Sequence, residues 1–199
     1  ETSFLPRQVV GVKKVQVALI LDFSKSSERT IEALSNNYWE LFNEFHTEQP
    51  NVLLELALIG YSKKSFGKNN KYVKIISGFK DSPDISFDFL TTTELGSSVS
   101  ENYVGEALQV AVSKLKWDKE QNVKKQILTI GNGPIKGSYS LAKNASKQAK
   151  KRGIKVNCLY VLYKANDKNH SYWLELSKIS GGELKNLVPR SNYYKIVAL

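Results

Sequence analysis

Long apolar runs alternate with amphipathic segments along this chain. Four runs are nearly continuous in aliphatic and aromatic residues, which is typical of strands that are covered on both faces of a sheet. These runs are VQVALIL (15–21), VLLELALIGY (52–61), QILTI (126–130) and IKVNCLYVLY (154–163). YVKIISGF (72–79) alternates more and predicts an antiparallel edge strand, and ELKNLV (183–188) predicts a last edge strand.

Helical patterns separate the apolar runs. Apolar residues recur at spacings of three and four between residues 31 and 45, and again between residues 104 and 115. SLAKNASKQAKKRG (140–153) and SYWLELSKISGG (171–182) predict two further helices that end at glycines. This order predicts an α/β fold with a doubly wound, mostly parallel sheet, helices on both faces and one antiparallel edge strand.

Length and composition are typical of a globular protein, with 199 residues of which 41% are hydrophobic and 24% are charged. No Pro- or Gly-rich linker divides the chain. We therefore predict a single domain over residues 1–199, with a core at about 13–188. The pattern leaves the tails, 1–12 and 189–199, open, and the second of them is either a short strand or a loosely held segment. No apolar run approaches the roughly 18 residues that span a membrane. Cys158, the only cysteine, excludes an internal disulfide and is expected to be buried and unreactive.

The formal net charge is +10, and a basic surface favours anionic partners. The lysines are spread along the chain, however, and the densest run, KQAKKRG (147–153), closes a predicted helix. Cations at that position complement the helix dipole and keep the exposed face hydrated. We interpret most of the charge as a solvated surface, and a specific anionic partner stays the alternative.

Polar side chains follow two of the predicted strands directly. Asp22, Ser24 and Ser26 come just after the first strand, and Asn132 follows QILTI. A third polar segment, TTELGSSVSEN (92–102), leads into the helix that begins near residue 103. Ligands of parallel sheets bind at the carboxyl ends of the strands. The sequence therefore predicts that these three loops form one rim.

The segment DFSKS (22–26) resembles the first motif of von Willebrand factor type A domains, which reads Asp-x-Ser-x-Ser at the end of the first strand. Lys25 stands where that family usually has Gly. The resemblance is to bacterial members and covers about residues 13–188, through segments that follow in the family's order. These segments are YVGEALQVAVSKLKW (103–117), KKQILTIGNGP (124–134), AKKRGIKVNCLYV (149–161) and WLELSKISGGEL (173–184).

This resemblance implies a metal-ion-dependent adhesion site for Mg²⁺, or for Mn²⁺ or Ca²⁺ in its place. The expected ligands are Asp22, Ser24, Ser26, Asn102 and Asn132. Asn102 occupies the position that is usually Thr, and Ser100 and Glu101 are alternatives because the length of the loop is open. Asn132 occupies the position that is usually Asp.

Mg²⁺ prefers hard oxygen ligands in octahedral geometry, which such a set provides. In the family, neutral hydroxyl ligands leave the metal able to accept a carboxylate of a partner protein as its last ligand. Asn132 keeps an oxygen but removes a charge, so weaker divalent binding is expected. In the alternative without a metal, Ser26 or Ser27 caps the first helix, and Asp22 either has no remaining role or accepts backbone N–H groups.

The resemblance implies an adhesion module that binds a protein partner and is not an enzyme. Lys25 and the loop 91–101 would border the site, and Lys25 favours an acidic protein partner. No small-molecule substrate and no nucleic acid are expected. One alternative is a basic α/β domain that binds an anionic polymer or surface beside a vestigial metal site. Another is a metal-dependent hydrolase that uses Asp22, with Glu101 as a loose candidate for a second acid. The single cysteine and the trimmed-looking start, ETSFLPRQVVGVKK, indicate an exported bacterial protein, extracellular or periplasmic.

Overall fold

One sheet organises the computed structural model, which describes residues 11–95, 99, 102–135, 137–162 and 167–187. Six strands of the described chain lie in the order β3-β2-β1-β4-β5-β6. They are β1 (Lys14–Asp22), β2 (Leu53–Tyr61), β3 (Val73–Lys80), β4 (Val123–Gly131), β5 (Ile154–Val161) and β6 (Leu184–Leu187). All neighbours are parallel except β3, which pairs antiparallel with β2 at one edge. The predicted mostly parallel sheet with an antiparallel edge strand is confirmed.

Helices cover both faces of this sheet. They are α1 (Glu28–Glu48), α2 (Asp84–Thr92), α3 (Val104–Lys114), α4 (Tyr139–Lys151) and α5 (His170–Ser180). The apolar residues of α3, α4 and α5 join one core cluster, and those of α1 and α2 join the other. The layers follow from the right-handed crossovers that parallel strands require.

Strand β1 is almost entirely apolar because it is buried on both faces of the sheet. Ala18 and Ile20 point into the core below α3, whereas Val17 and Leu19 point into the core below α1. Successive side chains of a strand point to opposite faces, so a strand that is covered on both sides needs apolar residues at every position. Lys14 and Asp22 are the two ends of the strand, and between them Gln16 is the one polar residue. Its amide lies in a hydrogen-bond network at the amino end of the sheet.

One helix was not anticipated from the sequence. Residues 84–92 form α2, with Pro83 at its N-cap and Leu90 buried against the α1 face. The loop predicted over residues 91–101 is therefore wrong at its start, because residues 91 and 92 are the last turn of α2. The helix is short, so its apolar pattern covers too few turns to stand out from a loop.

Cys158 is 2% exposed in β5, so the prediction of a buried thiol is confirmed. The predicted tails lie largely outside the described residues, and the single-domain boundary stays a prediction. Among the described helices, none combines the length and the apolar character needed to cross a membrane.

Candidate functional site

The carboxyl ends of β1, β2 and β4 form one rim. Asp22, the last residue of β1, is in register with Tyr61, the last residue of β2. The chain stays paired one step further, because the N–H of Phe23 donates to the carbonyl of Tyr61 at 2.9 Å. Strand β4 ends at Gly131, so Asn132 follows directly on the same rim. Two of the three predicted loops therefore meet where the sequence placed them.

A tight turn collects the hydroxyl groups beside the Asp22 carboxylate. The backbone N–H of Ser24 donates to Asp22 Oδ1 at 2.8 Å, and residues Lys25–Ser27 form a single 3-10 turn. Ser24 Oγ lies 2.9 Å from Ser26 Oγ and 3.3 Å from Ser27 Oγ. The alternation of Asp22, Ser24 and Ser26 thus places one carboxylate and a group of hydroxyls on one small patch.

The Ser27 side chain does not cap α1, in contrast to what the alternative without a metal predicts for this residue. Ser27 is the N-cap residue of α1, yet its side chain makes no capping hydrogen bond. Its hydroxyl faces Ser24 instead. The other half of that alternative is confirmed, since Asp22 does accept a backbone N–H group. Helix capping alone therefore does not explain why serines follow Asp22.

Burial leaves the charge of Asp22 poorly compensated. Asp22 is 8% exposed, and burial raises the pKa of its carboxyl group, although the Ser24 N–H and the hydroxyls of Ser24 and Ser27 oppose this rise. None of the ion pairs between described residues includes Asp22. A buried carboxylate without a cation costs stability. A bound metal cation would supply the missing charge, so the residues present fit an oxygen-liganded metal site.

A small pocket joins the first and the last predicted ligand. Asp22, Ser26, Ser27, Thr30 and Asn132 contribute to its lining, and its volume is about 10 Å³. This is about the space that one water molecule needs, and a single cation of similar size would also fill it. No group of three or more His, Cys, Asp or Glu side chains that could hold a metal occurs among the described residues. The donors at this pocket are mainly neutral oxygens.

Asn102 lies near the pocket but does not line it. Its Oδ1 accepts the N–H of Val104 at 3.0 Å, at the start of α3, and its carbonyl accepts the Ser138 hydroxyl at 3.2 Å. Its amide packs on the loop after β4, since a Cβ atom built on Gly133 would lie 2.1 Å from Asn102 Nδ2. The structure thus brings Asn102 beside the loop of Asn132, with its side-chain oxygen engaged at α3. Ser100 and Glu101 lie outside the described residues.

Tyr61 is a member of this rim that the sequence pattern did not reveal. It is fully buried, and its hydroxyl has no hydrogen-bond partner of good geometry among the described residues. Burial raises the pKa of this phenol well above its usual value, and the nearby charge of Asp22 raises it further, while the Asn102 side chain opposes part of the rise. A Cβ atom on Gly131 would lie 2.9 Å from the hydroxyl. The Tyr61 hydroxyl group therefore lies under the site without a well-formed hydrogen bond. Its only signal in the sequence was a tyrosine at the end of an apolar strand.

Two aromatic side chains hold the loop that carries Asn132. Tyr160 donates its hydroxyl to the Asn132 carbonyl at 3.1 Å, and Trp173 donates its indole N–H to the Gly133 carbonyl at 3.0 Å. Both rings are buried in the core. The main chain of this loop is therefore fixed, and the Asn132 side chain remains available at the pocket.

A cationic segment begins at the same rim. Residues 61–80 contain six lysines and no acidic residue. Four of these lysines, Lys63, Lys64, Lys68 and Lys71, belong to the connection between β2 and β3, which leaves the rim at Tyr61. Lys63 donates to the backbone carbonyl of Glu94. The lysines were interpreted from the sequence as spread along the whole chain. In this segment the positive charge is instead clustered.

Comparison with solved structures finds the same architecture in several proteins. BatB from Bacteroides thetaiotaomicron matches with a TM-score of 0.66 and 16% identity over 92% of this chain and 95% of that chain. The VWA domain of SpRpn10 matches with a TM-score of 0.64 and 13% identity over 91% of each chain. The pilus adhesin SpaC from Lactobacillus rhamnosus GG matches with a TM-score of 0.63 and 14% identity over 93% of this chain and 28% of that chain. No protein-family model and no curated protein matches the sequence. On these superpositions and the sheet order above, the chain has the fold of a von Willebrand factor type A domain.

Proposed function

We propose that this chain is a protein-interaction module that binds its partner through a divalent metal ion at the rim. Asp22, Ser24 and Ser26 would hold the ion, and Asn132 and Asn102 would complete the set. The observation that carries this proposal is the buried Asp22 carboxylate, which faces hydroxyls and shares a pocket with Asn132 but has no ion-pair partner among the described residues.

The donor set favours a hard cation that remains open to a further ligand. Mg²⁺ and Mn²⁺ accept carboxylate, hydroxyl and amide oxygens. When bound, such an ion offers a coordination position to a carboxylate of the partner. Asn132 brings no charge to the site, so the affinity for the ion is lower than with a second carboxylate. Tyr160 and Trp173 keep the Asn132 loop in place for this role.

The charge around the rim supports an acidic protein as the partner. Lys25 lies next to the metal-binding serines, and Lys63, Lys64, Lys68 and Lys71 follow the end of β2. A cationic border attracts acidic surfaces and speeds their association. The likeness to a pilus adhesin supports adhesion at a cell surface, and we propose that the protein is exported.

Binding without turnover fits the chemistry of the rim better than hydrolysis does. A metal-dependent hydrolase in which Asp22 held the ion would need a separate general acid or base within hydrogen-bond reach of the reacting atoms. The pocket that Asp22 lines contains hydroxyl and amide groups and no second titratable side chain among the described residues. We therefore place Asp22 as a metal ligand and not as a catalytic acid.

The direct test is calorimetric titration of the chain with Mg²⁺ and Mn²⁺. We expect saturable binding that Asp22→Ala abolishes and that Asp88→Ala, an exposed carboxylate on α2, leaves unchanged. Asn132→Asp restores a second carboxylate and is expected to tighten binding about tenfold or more. If none of these proteins binds either ion while all keep the native circular dichroism spectrum, the metal-dependent proposal is wrong.

The cluster of six lysines over residues 61–80 favours a second candidate, a domain that binds an anionic polymer. A sulfated polysaccharide such as heparin is the probe for it. This candidate predicts that binding persists with EDTA and in Asp22→Ala, and that it falls steeply as salt rises. Loss of binding to an acidic protein on addition of EDTA supports the metal-dependent proposal instead.

A further inference from the structure

A groove lies at the end of the sheet opposite the rim. Lys14, at the start of β1, and Glu55, near the start of β2, line it together with the last residues of β3. Its volume is about 530 Å³, within the range of pockets that bind ligands. Strand β1 has nine residues, so the groove and the rim are separated by roughly 25 Å.

The floor of the groove is apolar and partly open to solvent. Ile75 is 37% exposed although it is a large aliphatic residue, and Phe79 and Leu115 line the same groove. Phe79 packs edge-on against Trp117 with ring centroids 4.6 Å apart, which fixes its orientation. A partner's apolar side chain that packs on this exposed Ile and the fixed aromatic ring would be buried there, which favours binding.

One end of the groove is a closed polar network. Lys14 Nζ lies 2.9 Å from Asp118 Oδ2 and 3.4 Å from Glu55 Oε1. Gln16, which is 3% exposed, donates to Glu55 at 2.6 Å and accepts the N–H of Asp118 at 2.9 Å. Lys125 donates to the Asp118 carbonyl at 3.1 Å. The two carboxylates of the groove are therefore already paired, and they do not neutralise its other lysines.

Three further lysines border the groove with no such pairing. Lys80 ends β3, Lys114 ends α3, and Lys116 follows Leu115. All three are exposed, and the ion pairs and hydrogen bonds between described residues leave them unpaired. An apolar floor with three available cations favours a ligand that combines apolar and anionic groups.

Strand β3 adds an open hydrogen-bonding edge beside this groove. It is the outermost strand, and β2 is its one neighbour among the described strands. Its register with β2 is irregular near Leu56 and Leu58, and Lys74 and Lys80 are exposed on it. Irregular pairing and lysines protect an edge from pairing with arbitrary strands, while an edge of this kind still accepts a complementary one.

We propose that this groove binds an acidic, extended segment of a partner protein, which adds as a strand to the open edge of β3. Its apolar side chains cover Ile75 and Phe79, and its carboxylates face Lys80, Lys114 and Lys116. This site is separate from the metal rim and does not depend on it.

Charge excludes a second copy of this chain as the favoured occupant. The edge strand and the connection before it contain six lysines and no acidic residue, so two copies would place like charges opposite each other. Nucleic acid fits less well, because it would bring no aliphatic side chain to cover the exposed Ile75 on the floor of the groove. An acidic peptide with apolar side chains matches both the floor and the border.

The test uses a fluorescently labelled ten-residue peptide that alternates Glu with Val, and a Lys–Val peptide as its counterpart. Fluorescence anisotropy is expected to show saturable binding of the acidic peptide alone. The double variant Lys114→Glu/Lys116→Glu should weaken binding about tenfold or more, because two attractive charges become repulsive. The matched control Lys147→Glu/Lys150→Glu makes the same change of charge at two exposed lysines on α4 and should leave the affinity unchanged.

Strand addition has its own readout. Hydrogen–deuterium exchange is expected to show new protection over residues 74–80 when the acidic peptide binds, and none over residues 22–27. A peptide that is N-methylated at every residue has no N–H donor on either edge, so it cannot add as a strand and should not bind. Equal binding of the methylated peptide, or tighter binding of a single-stranded oligonucleotide that displaces the acidic peptide, would overturn the proposal.

The same titration separates this inference from the metal-dependent function. Asp22→Ala and EDTA should leave binding of the acidic peptide unchanged while they abolish Mg²⁺ binding. If EDTA or Asp22→Ala abolishes binding of the acidic peptide, the groove is not independent of the metal site and the proposal fails.

Discussion

Gly105 tests how firmly the start of α3 is tied to the rim. A Cβ atom built on Gly105 would lie 2.4 Å from the Ser138 carbonyl oxygen and 2.9 Å from its hydroxyl oxygen. The same Ser138 hydroxyl accepts the N–H of Gly105 at 3.3 Å and donates to the Asn102 carbonyl at 3.2 Å. Gly105→Ala therefore pushes on the residue that holds a predicted ligand.

Two opposing effects set how much Gly105→Ala lowers the free energy of unfolding. The close contact has to open from 2.4 Å to the ordinary 3.4 Å, and the neighbouring atom is backbone at the N-cap of α4, which cannot rotate away. Overpacking of this kind costs about 1–3 kcal/mol. Alanine gains about 0.5–1 kcal/mol over glycine in a helix. We expect a net loss of about 1–2 kcal/mol, which lowers Tm by about 2–8 °C for a chain of this size.

Urea unfolding followed by tryptophan fluorescence measures this loss, and Gly137→Ala is the matched control. Gly137 directly precedes Ser138 and has no positive φ, and a Cβ atom added to it would meet nothing within 4 Å, so its variant should stay within about 0.5 kcal/mol. Gly105→Ala should also weaken Mg²⁺ binding as Asn102 moves with Ser138. If the two variants share one midpoint at equal m-values, the packing of α3 on Ser138 is soft and this reasoning is refuted.

Two further predictions concern the interior of the sheet. Ser180→Ala removes the hydroxyl that accepts the Val156 N–H at 2.7 Å and leaves that N–H without a partner. The free energy of unfolding, measured by heat or urea, should fall by about 1–3 kcal/mol. The exposed Ser171→Ala is the control and should lower it by about 0.5 kcal/mol. Cys158 is 2% exposed and burial raises its thiol pKa, so an aromatic disulfide reagent should label it only through unfolding, at least about a thousandfold more slowly than in urea. Rapid labelling of the folded protein would show that β5 opens locally.

Most of the sheet was predictable because burial on both faces leaves a strong pattern. The apolar runs that predict β1, β2 and β5 differ from the observed strands by at most two residues at either end. Strand β4 is longer than predicted, since it begins at Val123 with polar residues at 124–126 that pair with β1 and β5. Hydrogen bonding, which hydropathy does not report, extends the strand there.

The site was predictable only where ligands are close in sequence. Asp22, Ser24 and Ser26 share one turn, so their spacing alone brings them together. Tyr61 joins the rim through the register of β1 with β2, and no local pattern encodes that register. Asn102 was placed by analogy, and its side-chain oxygen proves to be engaged by Val104 at the start of α3.

The order of strands has a consequence for synthesis of the chain. The central strand β1 lies between β2 and β4, and Lys14 meets Asp118, which is 104 positions further along. Until β4 leaves the ribosome, β1 exposes an apolar edge that any other nascent chain can pair with. Such distant contacts also make folding slow. We therefore expect release of this protein from chaperones to follow synthesis of residues 123–131, however early the first helix forms.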